Sequence, residues 1–192
     1  MASSIVIVRH GATEWSEAGR HTGRTDLPLL DKGRDAARRL RPWFADRHFD
    51  LVLVSPLRRA TETAELAGLT DPAQAAELDA DLMEWDYGEV EGITSADYRA
   101  THPGWQVWDG CPGGETADDV GSRADRVLAR CAAVDGSVAL VAHGHVLRIL
   151  TARWLAMAPV EGRCWVLDPT SPSTLGHEHD NRVVRSWNLT VG

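Results

Sequence analysis

The sequence predicts an α/β fold, three layers deep (α/β/α), around a mixed, mostly parallel central sheet. Two observations predict it. Three short continuous apolar runs, Ile5–Val8, Leu51–Val54 and Val138–Ala142, have the pattern of strands buried on both faces. Between them lie segments whose apolar residues recur with helical period, and strands alternating with helices make a parallel sheet covered on both sides. No internal repeat, low-complexity tract or linker interrupts the 192 residues. A single domain over 1–192 is therefore expected, with a lid-like insertion at about 86–114.

The elements follow in chain order. Ile5–Val8 is the first strand. Asp31–Asp46 reads as a helix, with Asp31 as N-cap, Ala36, Ala37, Leu40 and Phe44 toward one side, and Pro42 expected to kink or end it. After the strand Leu51–Val54, Ser55-Pro56 reads as an N-cap followed by proline at the first helical position, opening a helix to about Ala67. Ala75–Leu82 is a weaker extended segment. Asp86–Gly114, rich in Gly, Pro and Trp, is irregular apart from a short helix near Thr94–Ala100. Glu115–Ala133 is a long amphipathic helix. Val138–Ala142 leads into a helix from about His145 to Ala156. From Cys164 onward two or three strands are expected, Arg182–Trp187 alternating as a hairpin partner for Ser173–His179.

The formal net charge of −8 argues against a nucleic-acid partner, because such proteins carry a basic face. An acidic protein that handles an anion needs a locally basic pocket. Lysine occurs once, Lys32, so nineteen of the twenty basic residues are arginine. That bias fits either a codon preference or planar, bidentate phosphate recognition, and only individual positions separate the two. Cys111, Cys131 and Cys164 are odd in number and far apart, which suits a reducing compartment. The N-terminus lacks the pattern of a secretory signal peptide, and no apolar run approaches the roughly 18 residues that span a bilayer. A cytoplasmic protein without a membrane partner is expected.

The chemistry lies where the apolar runs end. The first ends in Arg9-His10-Gly11, the second in Ser55-Pro56-Leu57-Arg58-Arg59, the third in His143-Gly144-His145. In a parallel sheet, sites form beyond the carboxyl ends of the strands. If these strands are neighbours, at least two arginines and two histidines converge, with Glu84 of "LMEWDYGEVEG" overhead. Guanidiniums and imidazoles with one carboxylate suit phosphoryl transfer, in which charge spreads over the equatorial oxygens. A neutral imidazole is itself a competent nucleophile near pH 7, and a carboxylic acid protonates the leaving oxygen. Arg-His-Gly alone is a weak signal. His-Gly recurring after a second apolar strand, together with Ser-Pro-Leu-x-Arg-Ala, is hard to obtain by accident.

The stretches "VRHGATEW", "TGRTDLPLLDKGRDAA", "SPLRRATETA", "LMEWDYGEVEG", "PGGET" and "LVAHGHVLR", in this order, resemble the histidine phosphatase superfamily, also called phosphoglycerate mutase-like, over nearly the whole chain. The chain looks most like the short acid-phosphatase-like members found in actinobacteria. The resemblance implies the phosphoglycerate mutase-like fold and the following roles. His10 would be the nucleophile that becomes phosphohistidine, with Arg9 and His143 holding the phosphoryl group. The catalytic arginine stands directly before an alanine, which selects Arg59 and leaves Arg58 on the surface. Glu84 would be the general acid. Thr22 and Gly23 match positions near the phosphate, and Gly144 follows His143. Ser16 stands where the family usually has asparagine and would still donate one hydrogen bond. Gly114 and Thr116 match positions that contact substrate through the backbone. No cofactor and no metal are implied, so a chelator should leave activity intact.

A metal-independent phosphatase acting on a small phosphorylated metabolite is thus expected, with a homodimer possible. The alternatives are a cofactor-dependent phosphoglycerate mutase and a weakly catalytic module that binds a phosphorylated ligand. "TSADYRATHPGW" lacks the lysine and paired arginines expected of glycolytic mutases, and the chain is shorter than they are, so hydrolysis is favoured. Two features stay open. Trp105, Trp108 and Cys111 either line a substrate-selecting lid or pack that loop down. His177, Glu178, His179 and Asp180 read as a metal site or as a polar hairpin end, with His177 and His179 sharing a strand face. His21, His48, His102 and His145 read as surface or structural residues.

Overall fold

The computed structural model describes residues 4–70 and 76–191. Six strands form one sheet: β1 (Ser4–Arg9), β2 (Leu51–Val54), β3 (Glu77–Leu78), β4 (Ser137–Ala142), β5 (Pro172–Glu178) and β6 (Asn181–Ser186). Their spatial order is β3-β2-β4-β1-β5-β6. The first four positions pair in parallel, while β5 and β6 pair antiparallel at the other edge.

Alternation along the strands supplies the three layers. On one face Val6, Val8, Val52, Val54 and Val141 pack under α2 (Asp31–Ala45) and α3 (Arg58–Leu66). On the other, Ile5, Ile7, Leu53, Val138 and Leu140 pack under α5 (Ala117–Ala132) and α6 (Gly144–Trp154). Ile5, Ile7, Leu53 and Leu140 are fully buried, and each such side chain contributes about 1.5–3 kcal/mol relative to exposure. Two short helices, α1 (Glu14–Glu17) and α4 (Ser95–Arg99), lie in the loops.

Three expectations about element ends need correction. Asp31 is the first helical residue of α2 rather than its N-cap, which is Leu30; Asp31 pairs with Arg34 instead. The helix also runs through Pro42 to Ala45. Pro42 is exposed, so water meets the carbonyl left without its usual partner. Packing of Phe44 against Phe49, ring centroids 5.9 Å apart, holds the last turn. α3 starts at Arg58, not at Ser55, because the Asp26 carboxylate accepts from the Arg58 N–H at 2.8 Å and supplies the missing cap. Of the extended segment expected at 75–82, residue 75 lies outside the described residues. The rest is the two-residue strand β3 and a 3₁₀ turn at Ala80–Leu82. α5 is capped as a helix of its length needs, by reciprocal bonds between Thr116 and Asp119.

Register places the site. Arg9 lies opposite Ala142 and Val54 opposite Val141, so β1, β4 and β2 end level and adjacent. The ladder continues one step past the strands: His10 N–H donates to Ala142 O at 2.9 Å and Ser55 N–H to Val141 O at 3.0 Å.

Candidate active site

His10 is buried where β1 ends, and its Nδ1 lies 2.7 Å from Gly11 O. A carbonyl only accepts, so Nδ1 carries the proton and Nε2 presents a lone pair. Burial, reinforced by the charges of Arg59 and Arg9, pushes the His10 pKa well below its ordinary 6.5. The imidazole is therefore neutral at pH 7, in the tautomer a nucleophile requires. The turn that carries it is tight. A Cβ on Gly11 would lie 2.6 Å from Gly33 O, and one on Gly33 would lie 2.4 Å from Ala12 O. Gly11 N–H donates to Thr63 Oγ1 at 3.0 Å, which fastens the turn to α3.

Arg9 is a half-buried cation whose Nη1 donates to Leu167 O at 2.7 Å and whose buried Nε has no partner. A buried, unpaired guanidinium N–H beside a nucleophile is what an incoming oxyanion satisfies. Arg59 is fully buried. Its Nε donates to His143 Nδ1 (3.1 Å), Nη1 to Thr25 O (2.8 Å), and Nη2 to Thr22 O (3.0 Å) and Gly23 O (2.9 Å). Of its five donors, one Nη1–H remains. Arg58, by contrast, is exposed.

His143 stacks edge-on to His10 with ring centroids 5.0 Å apart. Because Nδ1 accepts from Arg59, Nε2 carries the proton and donates to Ser55 Oγ at 2.7 Å. Burial, with the charge of Arg59 behind it, lowers this pKa well below 6.5 too. Both nitrogens are thus engaged within the protein. His143 holds Arg59 and flanks His10, rather than offering a free donor to a phosphoryl group.

Glu84 is buried over the N-terminus of α6. Its carboxylate accepts from the backbone N–H of Trp85 (2.9 Å), His145 (3.0 Å) and Val146 (3.0 Å). Gly144 sits where a Cβ would lie 3.5 Å from the Arg9 guanidinium and 3.7 Å from Glu84 Oε2, so the backbone brings these two groups to one wall.

Arg9, His10, Ser16, Thr22, Glu84 and Gly144 line a cavity of about 210 Å³, while Arg59 and His143 lie behind His10 and are not part of its wall. Three expected phosphate donors are already committed. The Ser16 hydroxyl donates to Thr13 O at 2.9 Å in the cap of α1. Gly23 N–H donates to both oxygens of Glu91 at 3.0 Å. The Thr22 hydroxyl donates to Arg20 O at 3.2 Å.

The cavity also takes in Arg20, His21, Tyr87, His145, Arg148 and Leu167, none of them expected. His21 and His145 are wall residues, not surface residues. Tyr87 Oη and His145 Nδ1 are 2.6 Å apart, and burial pushes the tyrosine pKa up and the histidine pKa down, so both are neutral. Trp105, Trp108 and Cys111 lie one layer behind. The Trp108 ring packs 5.2 Å from His145 and 5.7 Å from Trp85, which holds the 86–114 segment down. At the hairpin, His179 falls in the turn with φ 53° rather than sharing a strand face with His177, which packs on Trp154. Among the described residues no group of three or more His, Cys, Asp or Glu is arranged to hold a metal ion.

The family profile of the histidine phosphatase superfamily (branch 1) matches residues 5–190. An acid phosphatase of Mycobacterium tuberculosis is 38% identical over 97% of this chain and 92% of its own length. A 2,3-bisphosphoglycerate-dependent phosphoglycerate mutase of Rhizobium etli is 30% identical over 99% of this chain and 98% of its own. With that mutase covered almost end to end, chain length does not separate hydrolysis from mutation. The solved structure of an open reading frame product from Mycobacterium tuberculosis superposes with a TM-score of 0.93 at 36% identity, covering 100% of both chains. Among the described residues no helix is long and apolar enough to cross a membrane. The sequence match from β1 to β6 and the superposition agree: the chain belongs to the histidine phosphatase superfamily.

Proposed function

We propose that the cavity hydrolyses small phosphate monoesters through a phosphohistidine at His10. The lone pair on Nε2 attacks phosphorus and the ester P–O bond breaks. Glu84, acting as the general acid, passes a proton to the departing alkoxide oxygen. The imidazole gains positive charge as the P–N bond forms, and the Nδ1–H bond to Gly11 O stabilises it in that orientation. Arg9, with its unsatisfied Nε, and the remaining Nη1–H of Arg59 meet the charge on the equatorial oxygens. Water then enters opposite the P–N bond and gives a proton to the Glu84 carboxylate. Inorganic phosphate leaves and His10 is again neutral.

The single observation that carries this function is the pinned tautomer of His10, which leaves Nε2 bare beside an arginine whose buried Nε lacks a partner. Its test is a rapid-quench incubation with p-nitrophenyl phosphate, followed by mass spectrometry under alkaline conditions. The expected result is an acid-labile phosphate on His10 and steady release of inorganic phosphate, both absent from His10→Ala. Release that survives His10→Ala overturns the assignment. Conversion of 3-phosphoglycerate to 2-phosphoglycerate that outpaces phosphate release makes the chain a mutase instead.

A further inference from the structure

Several arginines of this chain are neutralised by a carboxylate: Arg34 pairs with Glu62, Arg126 with Asp81, Arg130 with Asp79 and Arg153 with Asp125. The three arginines on the cavity wall differ. Arg9, Arg20 and Arg148 form no ion pair among the described residues. The wall's one carboxylate, Glu84, is taken up with three backbone N–H groups. In a protein of net charge −8, three arginines thus share one cavity wall with the single carboxylate of Glu84.

A phosphomonoester dianion is balanced by Arg9 and Arg59 at the reacting end. Arg20 and Arg148 are in excess of that need, and Arg148 is built into place. Its Nε donates to Gly162 O at 3.0 Å and its Nη2 to Arg163 O at 3.2 Å, and its guanidinium lies 4.9 Å from the centre of the Trp108 ring. These contacts fix the plane of the group and leave Nη1 without a partner. Arg148 is also four residues after Gly144 on α6, hence one turn, about 5.4 Å, further along the same face. Gly144 marks where Arg9 and Glu84 meet. One turn beyond the proton donor is where the departing group lies.

We propose that Arg148, with Arg20 on the same cavity wall, forms a second anion subsite that selects phosphomonoesters whose leaving group carries a carboxylate or phosphate of its own. This inference rests on the assignment of His10 and Glu84 as the reacting pair. Half-burying the Arg148 guanidinium near Arg9, with Glu84 as the one carboxylate on the wall, is unfavourable until an anion arrives, so binding of the doubly anionic substrate relieves it. Tyr87 and His145, both neutral, form the adjoining wall and add no competing charge.

The test compares kcat/KM for phosphate release in two matched pairs: glycerol 3-phosphate against 3-phosphoglycerate, and fructose 6-phosphate against fructose 1,6-bisphosphate. The first pair reads a carboxylate, the second a phosphate. The protein as it stands is expected to favour the anionic member of at least one pair by about tenfold or more, the scale of one charge-assisted contact. Arg148→Gln is expected to erase most of that ratio, chiefly through KM, Arg148→Lys to keep part of it, and Arg20→Gln to lower it less. Equal use of both members in both pairs, or an unchanged ratio in Arg148→Gln, overturns the subsite. If Arg148→Gln does not fold, the unmodified protein's ratios and Arg20→Gln decide. Failure of the underlying reaction looks different: no phosphate from any ester, p-nitrophenyl phosphate included, and no label on His10.

Discussion

The Nε–H of Arg59 donates to Nδ1 of His143 at 3.1 Å, and the far side of that ring donates to Ser55 at 2.7 Å. One chain of bonds thus runs from the end of β2, through the end of β4, to the first turn of α3, with His10 packed against its centre. Replacing Arg59 by alanine removes the buried charge, the brace on His143 and the clasp on the 22–25 loop together. Arg59→Ala is expected to lower kcat by about a hundredfold or more, the scale of one preorganised donor at roughly 3 kcal/mol. Arg58→Ala, at an exposed position, is expected to stay near the parent. Equal losses in side-by-side kinetics reject the distinction.

Ser55 takes the other end of this chain. Ser55→Ala deletes the acceptor for a buried imidazole N–H, which costs about 1–3 kcal/mol. Urea unfolding should show that loss, and kcat should fall with it as His143 turns. A variant unchanged in both measurements contradicts the bond network.

Activity should outlast mild acid. The His10 pKa is pushed well below 6.5 by burial and by Arg59 and Arg9, so the nucleophile stays unprotonated on the acid side of neutrality. The acid limb of kcat/KM, corrected for substrate ionisation, is expected well under pH 6.5. A limb with its midpoint at 6.5 or above means the imidazole is not held in this environment.

Stability should behave oppositely. His10, His143 and His145 are buried with pKa values depressed in the folded state. Below pH 6.5 the unfolded chain binds protons that the folded chain refuses, so stability present above 6.5 is lost as pH falls toward the folded values. Asp81, whose pKa is lowered chiefly by its bond to Arg126, acts in the same direction only below pH 3.8. Thermal melting is therefore expected to drop between pH 7.5 and 5.5. A melting temperature that holds or rises over that range counts against three buried neutral imidazoles.

Part of the candidate site was legible because it stands at strand ends, where a continuous apolar run meets charged residues within one or two positions. Arg9 closes β1, His10 and His143 directly follow β1 and β4, and Arg59 and Glu84 are brought in from α3 and from the loop after the 3₁₀ turn at Ala80–Leu82. The rest of the wall was not legible. Tyr87 comes from an irregular segment whose path depends on tertiary packing, and His145 looks like any residue in a helical first turn. Arg148 carried a usable signal: four residues after Gly144 on a helix that starts at the site, it must share that face. The committed hydroxyl of Ser16 and N–H of Gly23 were hidden for another reason, since their partners, Thr13 and Glu91, are fixed by the fold of the loops. Helix starts failed locally because Asp26, more than thirty residues upstream of Arg58, supplies a cap that no local pattern reveals.

Gly11 and Gly33 meet with no room for a methyl group on either, so the nucleophile's turn and the first turn of α2 are seated like two faces of a lapped joint. Gly33→Ala adds its carbon more than twenty residues from His10 in sequence, yet the turn after the nucleophile has to move to admit it. Such a variant should keep its circular dichroism and lose turnover, a silent misalignment rather than a collapse. Tolerance to substitution along the outer helix is in that sense set by the geometry of the reaction, not by the packing of the core.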